Sequence, residues 1–299
     1  MIATTLAALA IARPEPSPPQ PAVAAIETKA TPVADEPAVD QPRAALLAEV
    51  PGGEQIKAAR AYADSRGDAV SFAVVDTDGE LTGEAMNRRY ISASIVKSML
   101  LVAELRRLDS AGTPPDAATR SVLSSMITYS DNDAADAIYD RVGDAGLAEV
   151  GELYGMKRLD LNGYWASTYV TAADMARMFA DLERPIPDAD RDFALGLLGS
   201  VIPEQSWGIP AAAQSSNGSW QVRFKGGWRS TGLGELAHQA AELRSGDERL
   251  AIAVMTDGQP SFAYATETIE GVAQRLLAGA ADPERGQAAR RPARRRSDG

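Results

Sequence analysis

Regular hydrophobic periodicity is confined to residues 51–280, and its order restricts the possible folds more than any other feature. Two strand-like segments come first, a long helical stretch follows, and three strand-like segments precede a closing helix. Strands that follow one another through short turns pair antiparallel, and helices must cover the apolar faces of the sheet. We therefore predict an α/β (more narrowly α+β) fold, in which an antiparallel five-stranded sheet is flanked by helices and carries an inserted all-helical subdomain.

The predicted elements follow from local patterns. Apolar residues at Ile56, Ala59 and Ala63 indicate the first helix. We predict helices at 54–65, 94–155 with a break at 112–115, 172–182, 189–198 and 263–277, and strands at 70–75, 81–86, 220–224, 235–243 and 250–255. Because a cleft is expected where the helical block abuts the sheet, a ligand site is predicted there.

Both flanks differ from this central domain. Residues 1–12 form a short apolar run that ends in Ala10-Ile11-Ala12, like a signal peptide without its basic start, and residues 13–50 contain eight of the 18 prolines. We expect a signal-like segment with a disordered Pro/Ala-rich linker, and a secreted or extracytoplasmic protein of the cell envelope. Residues 281–299 carry six arginines against three acids, which predicts a disordered Arg-rich tail that is either solvated or in contact with an anionic cell surface.

Composition excludes several classes of chemistry. The chain has no cysteine and one histidine, so disulfides, thiolate nucleophiles and multi-histidine metal sites cannot form. We therefore expect no metal and no cofactor. The formal net charge of −11 argues against a nucleic-acid partner. We expect a monomer that acts on a small molecule.

The segment around Ser94 contains a candidate nucleophile. Ser94 and Lys97 are three residues apart at the start of a predicted helix and so lie on one helical face. A serine hydroxyl needs a base, and a desolvated lysine can serve because burial lowers its pKa. The start of a helix also offers N–H groups to a developing oxyanion. Taken alone, the pair is more typical of a capping serine and a surface lysine.

Two further motifs contain polar side chains that could reach the same cleft. Ser130-Asp131-Asn132 falls between two predicted helices, and Lys225-Gly226-Gly227-Trp228 closes a predicted strand. Glycines at a strand end allow close approach of a ligand, while Lys225 supplies positive charge. Taken alone, the first motif is also typical of a local turn, and the second of a strand end with a surface lysine.

Together, S-x-x-K, S-D-N and K-x-G in this order resemble the class A β-lactamase and penicillin-binding superfamily. The resemblance covers about residues 54–279 and implies a β-lactamase/transpeptidase-like fold. It assigns Ser94 as the acylated nucleophile, Lys97 as its proton acceptor and Ser130 as the relay to the leaving nitrogen. It also implies that Asn132 holds the acyl amide and that Lys225 acts on Ser130 and a substrate carboxylate.

The resemblance further implies an oxyanion hole formed by the backbone N–H groups of Ser94 and Trp228, next to Gly227. Asp131 is expected to bond within its own turn. A different type of hydrolase, with a Ser-His-Asp triad, would need His238, but no G-x-S-x-G motif accompanies this residue on its predicted strand. We expect His238 to be a satisfied or exposed strand residue.

Three departures from the family pattern affect the expected chemistry. Residues 153–182 contain no glutamate, whereas class A β-lactamases use one there to activate the deacylating water; the acids present are Asp160, Asp174 and Asp181. Asp174 is expected to cap the helix that Thr171 opens. Gly226 replaces the hydroxyl residue of K-T-G or K-S-G, and the interval from Ser94 to Ser130 is short. All the groups that acylation needs are therefore expected to be present, whereas deacylation is expected to be slow.

Three functions remain open at this point. The first is a serine hydrolase that forms an acyl-enzyme with β-lactams or related amides and esters. The second is a D-alanyl-D-alanine peptidase that acts on peptidoglycan. The third is a non-catalytic protein that binds the cell wall or β-lactams.

Overall fold

The computed structural model describes residues 51–67, 69–216 and 219–279; the predicted leader, linker and Arg-rich tail lie outside them. The helices are α1 Gly53–Ser65, α2 Lys97–Ser110, α3 Ala117–Ser124, α4 Asn132–Leu153, α5 Ala172–Ala180, α6 Arg191–Leu198, α7 Ile209–Ser215 and α8 Phe262–Leu276. The strands are β1 Val70–Val75, β2 Leu81–Glu84, β3 Arg89–Ile91, β4 Tyr169–Thr171, β5 Gln221–Thr231, β6 Gly234–Ser245 and β7 Glu248–Gln259.

Five strands form one antiparallel sheet in the order β2-β1-β7-β6-β5, which confirms the predicted fold class. The last three strands are a meander with tight connections, in which Thr231 pairs with Gly234 and Ser245 pairs with Glu248. Strand β5 is therefore an edge strand, and one of its sides is available to line a cleft.

Helices cover the sheet because its central strands are apolar along most of their length. All six residues of β1 and the middle of β6 and β7 are buried. Helix α8 packs on β6, β7 and α1, whereas α5 packs on β1, β6 and β7. Helix α5 begins as expected, with the Thr171 hydroxyl accepting a hydrogen bond from the Asp174 N–H at 3.1 Å.

The inserted helical part is built around α2. Residues from Lys97 to Leu105 are all buried, because α2 runs through the interior and packs on α4. A second, two-stranded sheet pairs β3 with β4, so that Tyr90 faces Val170. Strands β3 and β4 and helix α7 were not predicted, because elements of three to seven residues are too short to show a period.

One predicted position is wrong. Lys225-Gly226-Gly227-Trp228 was expected to close a strand, but it lies inside β5, which continues to Thr231. Pairing with β6 extends the strand, since Gly226 pairs with Gln239 and Gly227 with His238. The two glycines therefore mark close approaches to the middle of a strand and not a turn.

Candidate active site

Ser94 lies in a short 3₁₀ turn, Ala93–Val96, that leads directly into α2. The preceding residue, Ala93, has a φ of 46°, which is a strained conformation for a residue with a Cβ. Ile95 and Val96 are buried and hold the turn in place, while Ser94 itself is half-buried. No described residue forms a hydrogen bond with the Ser94 hydroxyl, so it is open to an incoming ligand.

Strand β5 runs against this turn at Gly227. A Cβ atom at Gly227 would lie 2.7 Å from the backbone nitrogens of both Ser94 and Ile95. Only glycine leaves room for the two backbones to approach so closely. The backbone of β5 thus lies beside the Ser94 N–H.

Lys97 is buried one turn further along, and its amine faces the S-D-N motif. Nζ donates hydrogen bonds to the Ser130 carbonyl oxygen at 2.6 Å and to Asn132 Oδ1 at 2.7 Å, and Ser130 Oγ lies 3.4 Å away. Burial lowers the pKa of Lys97 to about 8, while the carboxylates of Asp131 and Asp136 act in the opposite direction.

Ser130 is held by an irregular turn. It follows a single π-helical turn, Ser125–Tyr129, and has a left-handed backbone with φ of 59°. Asp131 stabilises this turn by accepting a 2.6 Å hydrogen bond from the Ser125 hydroxyl and further bonds from the N–H groups at the start of α4. The prediction that Asp131 bonds within its own turn is confirmed.

Lys225 approaches Ser130 from the other side. Its Nζ donates to Ser130 Oγ at 3.0 Å and to the Gly226 carbonyl oxygen at 2.8 Å, and the side chain is fully buried. Burial lowers the pKa of Lys225 well below its ordinary value, and the charge of Lys97 acts in the same direction. The Ser130 hydroxyl is therefore placed between two amines and can exchange a proton with either.

Trp165 completes the surroundings of Lys97, and the sequence analysis did not assign it a role. The Lys97 Nζ atom lies 4.8 Å from the centre of the indole ring. The indole N–H donates to Asp136 at 2.6 Å, and the Trp165 carbonyl oxygen accepts from the Ser92 hydroxyl at 3.2 Å. One signal was available, since Asp136 is four residues after Asn132 and so lies on the same face of α4.

The three acids of residues 153–182 are engaged with other partners. Asp160 forms an ion pair with Arg89 at 3.1 Å, and both side chains are half-exposed. Asp174 accepts hydrogen bonds from Thr171 and from the N–H groups of Lys157 and Arg158. Asp181 is paired with Arg184. None of these hydrogen bonds or ion pairs reaches Ser94 or Lys97.

An aromatic cluster lies against the glycine that replaces the family's hydroxyl residue. A Cβ atom at Gly226 would lie 3.2 Å from the Trp207 ring. Trp207 makes edge-to-face contacts with Trp228 and Phe262, at centroid distances of 6.0 and 5.6 Å. Trp228, which follows Gly227, is 37% exposed. The strand therefore presents an aromatic surface at the position where the family carries a hydroxyl group.

His238 is not part of this site. It is fully buried, its Nε2 lies 2.9 Å from the Ile91 carbonyl oxygen, and its Nδ1 accepts from the Thr256 N–H at 3.2 Å. Nε2 therefore carries the proton and donates it to Ile91. Burial lowers the pKa of His238 to about 4. The histidine is a satisfied strand residue, in agreement with the prediction.

A comparison with known families identifies the family of the chain. A model of the beta-lactamase enzyme family matches residues 112–279, which is more than half of the chain. This chain belongs to the beta-lactamase enzyme family. The matched part contains Ser130, Asn132 and Lys225, and it begins after Ser94 and Lys97. No curated protein sequence is significantly similar to the chain.

Solved structures of the serine β-lactamase-like superfamily share the fold of this family member. A beta-lactamase from Sphaerobacter thermophilus is 20% identical with a TM-score of 0.65, over 76% of this chain and 97% of that chain. A class A beta-lactamase from Mycobacterium abscessus is 18% identical with a TM-score of 0.63, over 75% and 98%. A structure of PBP-A gives 17% and 0.62, over 75% and 94%. At such identities the likeness establishes the fold.

Two kinds of feature are absent from the described residues. No helix among them is long and apolar enough to cross a membrane. The described part of the chain also contains no group of three or more His, Asp or Glu side chains that could hold a metal ion.

Proposed function

We propose that the protein is a serine hydrolase that forms an acyl-enzyme at Ser94 with β-lactams or related amides and esters, and that releases the acyl group slowly. The observation that carries this proposal is that Lys97 bonds to both Ser130 and Asn132, and Lys225 bonds to Ser130, beside the turn that holds Ser94. Four groups from three separate parts of the sequence meet there, and acyl transfer uses groups of these types.

Acylation begins with Lys97 in its neutral form. A neutral amine has two N–H groups, and the Ser130 carbonyl oxygen and Asn132 Oδ1 accept both. Its lone pair is then free to take the Ser94 proton as Oγ attacks the substrate carbonyl carbon. The carbonyl oxygen becomes an oxyanion, for which the N–H groups of Ser94 and Trp228 are the donors.

The leaving nitrogen must gain a proton as its bond to carbon breaks. Ser130 Oγ provides that proton and recovers one from the Lys97 amine, which holds the proton taken from Ser94. Lys225, 3.0 Å from the same hydroxyl, stabilises the negative charge that develops on Oγ during the transfer. Because Lys225 is buried, it acts on Ser130 directly and on a substrate carboxylate through its electric field.

Slow deacylation is supported by the contacts of the nearby acids. Hydrolysis of the Ser94 ester needs a water molecule and a base that takes its proton. Asp160, one of the three acids in residues 153–182, is bound to Arg89. One side of Lys97 is covered by the Trp165 indole, which is 2% exposed. Loss of a positioned base typically slows a step by ~10²–10⁴-fold.

The test is the mass of the intact protein after mixing with a β-lactam, sampled from seconds to hours. We expect an adduct of one β-lactam that persists over many minutes and that is absent in Ser94→Ala. Ser98→Ala is a matched control, because Ser98 is a buried serine on the same helix that donates to the Ile95 carbonyl oxygen. If no adduct forms and the β-lactam stays intact, the acyl-enzyme is contradicted. If the β-lactam is hydrolysed rapidly and no adduct accumulates, slow release is contradicted.

A further inference from the structure

The indole of Trp165 separates Lys97 from a carboxylate. Lys97 Nζ lies 4.8 Å from the centre of the ring, and the ring N–H donates a 2.6 Å hydrogen bond to Asp136. The Ser92 hydroxyl holds the backbone of Trp165 from the other end. The buried indole is thus fixed both to α4 and to the turn before Ser94.

We propose that Asp136 and Trp165 are positioning residues for Lys97: the indole shields one side of the amine from water, and the carboxylate stabilises the amine in its protonated form. The pair therefore sets the pH range in which Lys97 can act as a base. This inference rests on the role that the proposed function gives to Lys97.

The two members of the pair act in opposite directions. Burial is the main cause of the lowered pKa of Lys97, and Trp165 contributes to that burial. The charge of Asp136 raises the same pKa, as does the charge of Asp131, which precedes α4. Lys225 on β5 faces the same Ser130 hydroxyl and is the other amine of the site. Removing the Asp136 charge should therefore lower the pKa of Lys97 further, and removing the indole should raise it.

The experiment titrates Lys97 directly in the full chain. The protein has five lysines, so ¹³C-labelling at Cε gives few signals, and Lys97→Arg identifies the one that belongs to Lys97. We compare the native chain with Asp136→Asn, Trp165→Ala and Asp140→Asn. Asp140 is the matched control, since it is an exposed acid one turn further along α4. The acylation rate with a fluorescent penicillin is measured over the same pH range.

We expect the Lys97 midpoint to fall by about 0.5–1 pH unit in Asp136→Asn, to rise in Trp165→Ala, and to stay unchanged in Asp140→Asn. The pH profile of acylation should shift with it, whereas a merely structural role would lower the plateau rate and leave the midpoint in place. An unchanged or higher midpoint in Asp136→Asn overturns the inference. The midpoints could shift as expected while neither the native chain nor any variant is acylated. The proposed function would then fail, but the effect of Asp136 and Trp165 on Lys97 would stand.

Discussion

Gly227 and Ser94 are in direct backbone contact: a Cβ atom at Gly227 would lie 2.7 Å from the Ser94 nitrogen. Neither backbone can move away, because β5 is paired with β6 along its length and the Ser94 turn continues into buried α2. The position of the nucleophile relative to the strand thus depends on the absence of one methyl group.

Gly227→Ala should therefore push the strand away from the nucleophile. We expect a loss of stability of about 1–3 kcal/mol and a fall in the acylation rate of about 100-fold or more, because a displaced strand removes an oxyanion donor. Gly232→Ala is the control, since a Cβ there meets nothing within 4 Å. Denaturant unfolding and penicillin labelling measure both effects. A Gly227→Ala variant with native acylation would mean that the contact does not position the site.

Lys97→Arg should remove the base but retain a positive charge, since a guanidinium stays protonated near neutral pH. We expect acylation to fall by ~10²–10⁴-fold. Lys97→Met serves as a neutral comparison of similar length, and circular dichroism checks that both variants fold. If the arginine variant is acylated at the native rate, another group takes the Ser94 proton.

Acylation by the native chain should depend on pH through Lys97. The amine acts as a base only when neutral, and burial lowers its pKa to about 8. The rate should therefore rise with pH through about 8 and level off above it. The measurement is the second-order rate of penicillin labelling between pH 6 and 9.5, with circular dichroism to verify folding at each pH. A rate that is flat across this range would show that the protonation of Lys97 does not limit the reaction.

His238 should make the fold sensitive to acid. Burial lowers its pKa to about 4, whereas an unfolded histidine titrates near 6.5, so the unfolded chain binds more protons between these values. The contribution is fully present above pH 6.5 and is lost as the pH falls towards 4. The expected loss is about 3 kcal/mol.

Comparing the free energy of unfolding of the native chain and of His238→Gln between pH 7 and 4 isolates this contribution. The variant should be less stable at pH 7, because Gln cannot occupy both the Ile91 and Thr256 partners as the ring does. Its stability should also fall less on acidification. Parallel curves for the two proteins would show that folding does not lower the pKa of His238.

A chain trimmed to residues 51–280 should fold and keep its activity. The periodic segments of the sequence lie within this span, and the described helices and strands do too. We expect one cooperative unfolding transition and the same acylation rate as the full chain. An insoluble or molten product would place the domain boundary elsewhere.

The order of elements was predictable because it depends on local patterns. A short, mostly apolar run marks β1, and the i, i+3, i+7 spacing of Ile56, Ala59 and Ala63 marks α1; the structure agrees with both. The extent of β5 was not predictable in this way. Its continuation through Gly226 and Gly227 comes from hydrogen bonding to β6, and that partner lies beyond any local window.

The contacts of the candidate site also differ in whether the sequence could predict them. Ser94 and Lys97 could be paired from the sequence because three residues on a helix bring two side chains to one face. Lys225 and Ser130 are 95 residues apart, and only the tertiary structure places their polar atoms at 3.0 Å. The spacing of Asn132 and Asp136 on α4 pointed to a further site residue without identifying Trp165. The contact of Trp207 with Gly226 carried no local signal.

The sequence by itself therefore determined which types of polar group are available, the helical spacing of Ser94 and Lys97, and the absence of cysteine and multi-histidine chemistry. The tertiary structure decided which groups meet, how deeply the two lysines are buried, and what fills the space around them. The physical reason is that spacing along a helix or strand is a property of the local backbone. Burial and long-range contact arise only when separate elements pack, and these set the pKa values on which the proposed chemistry depends.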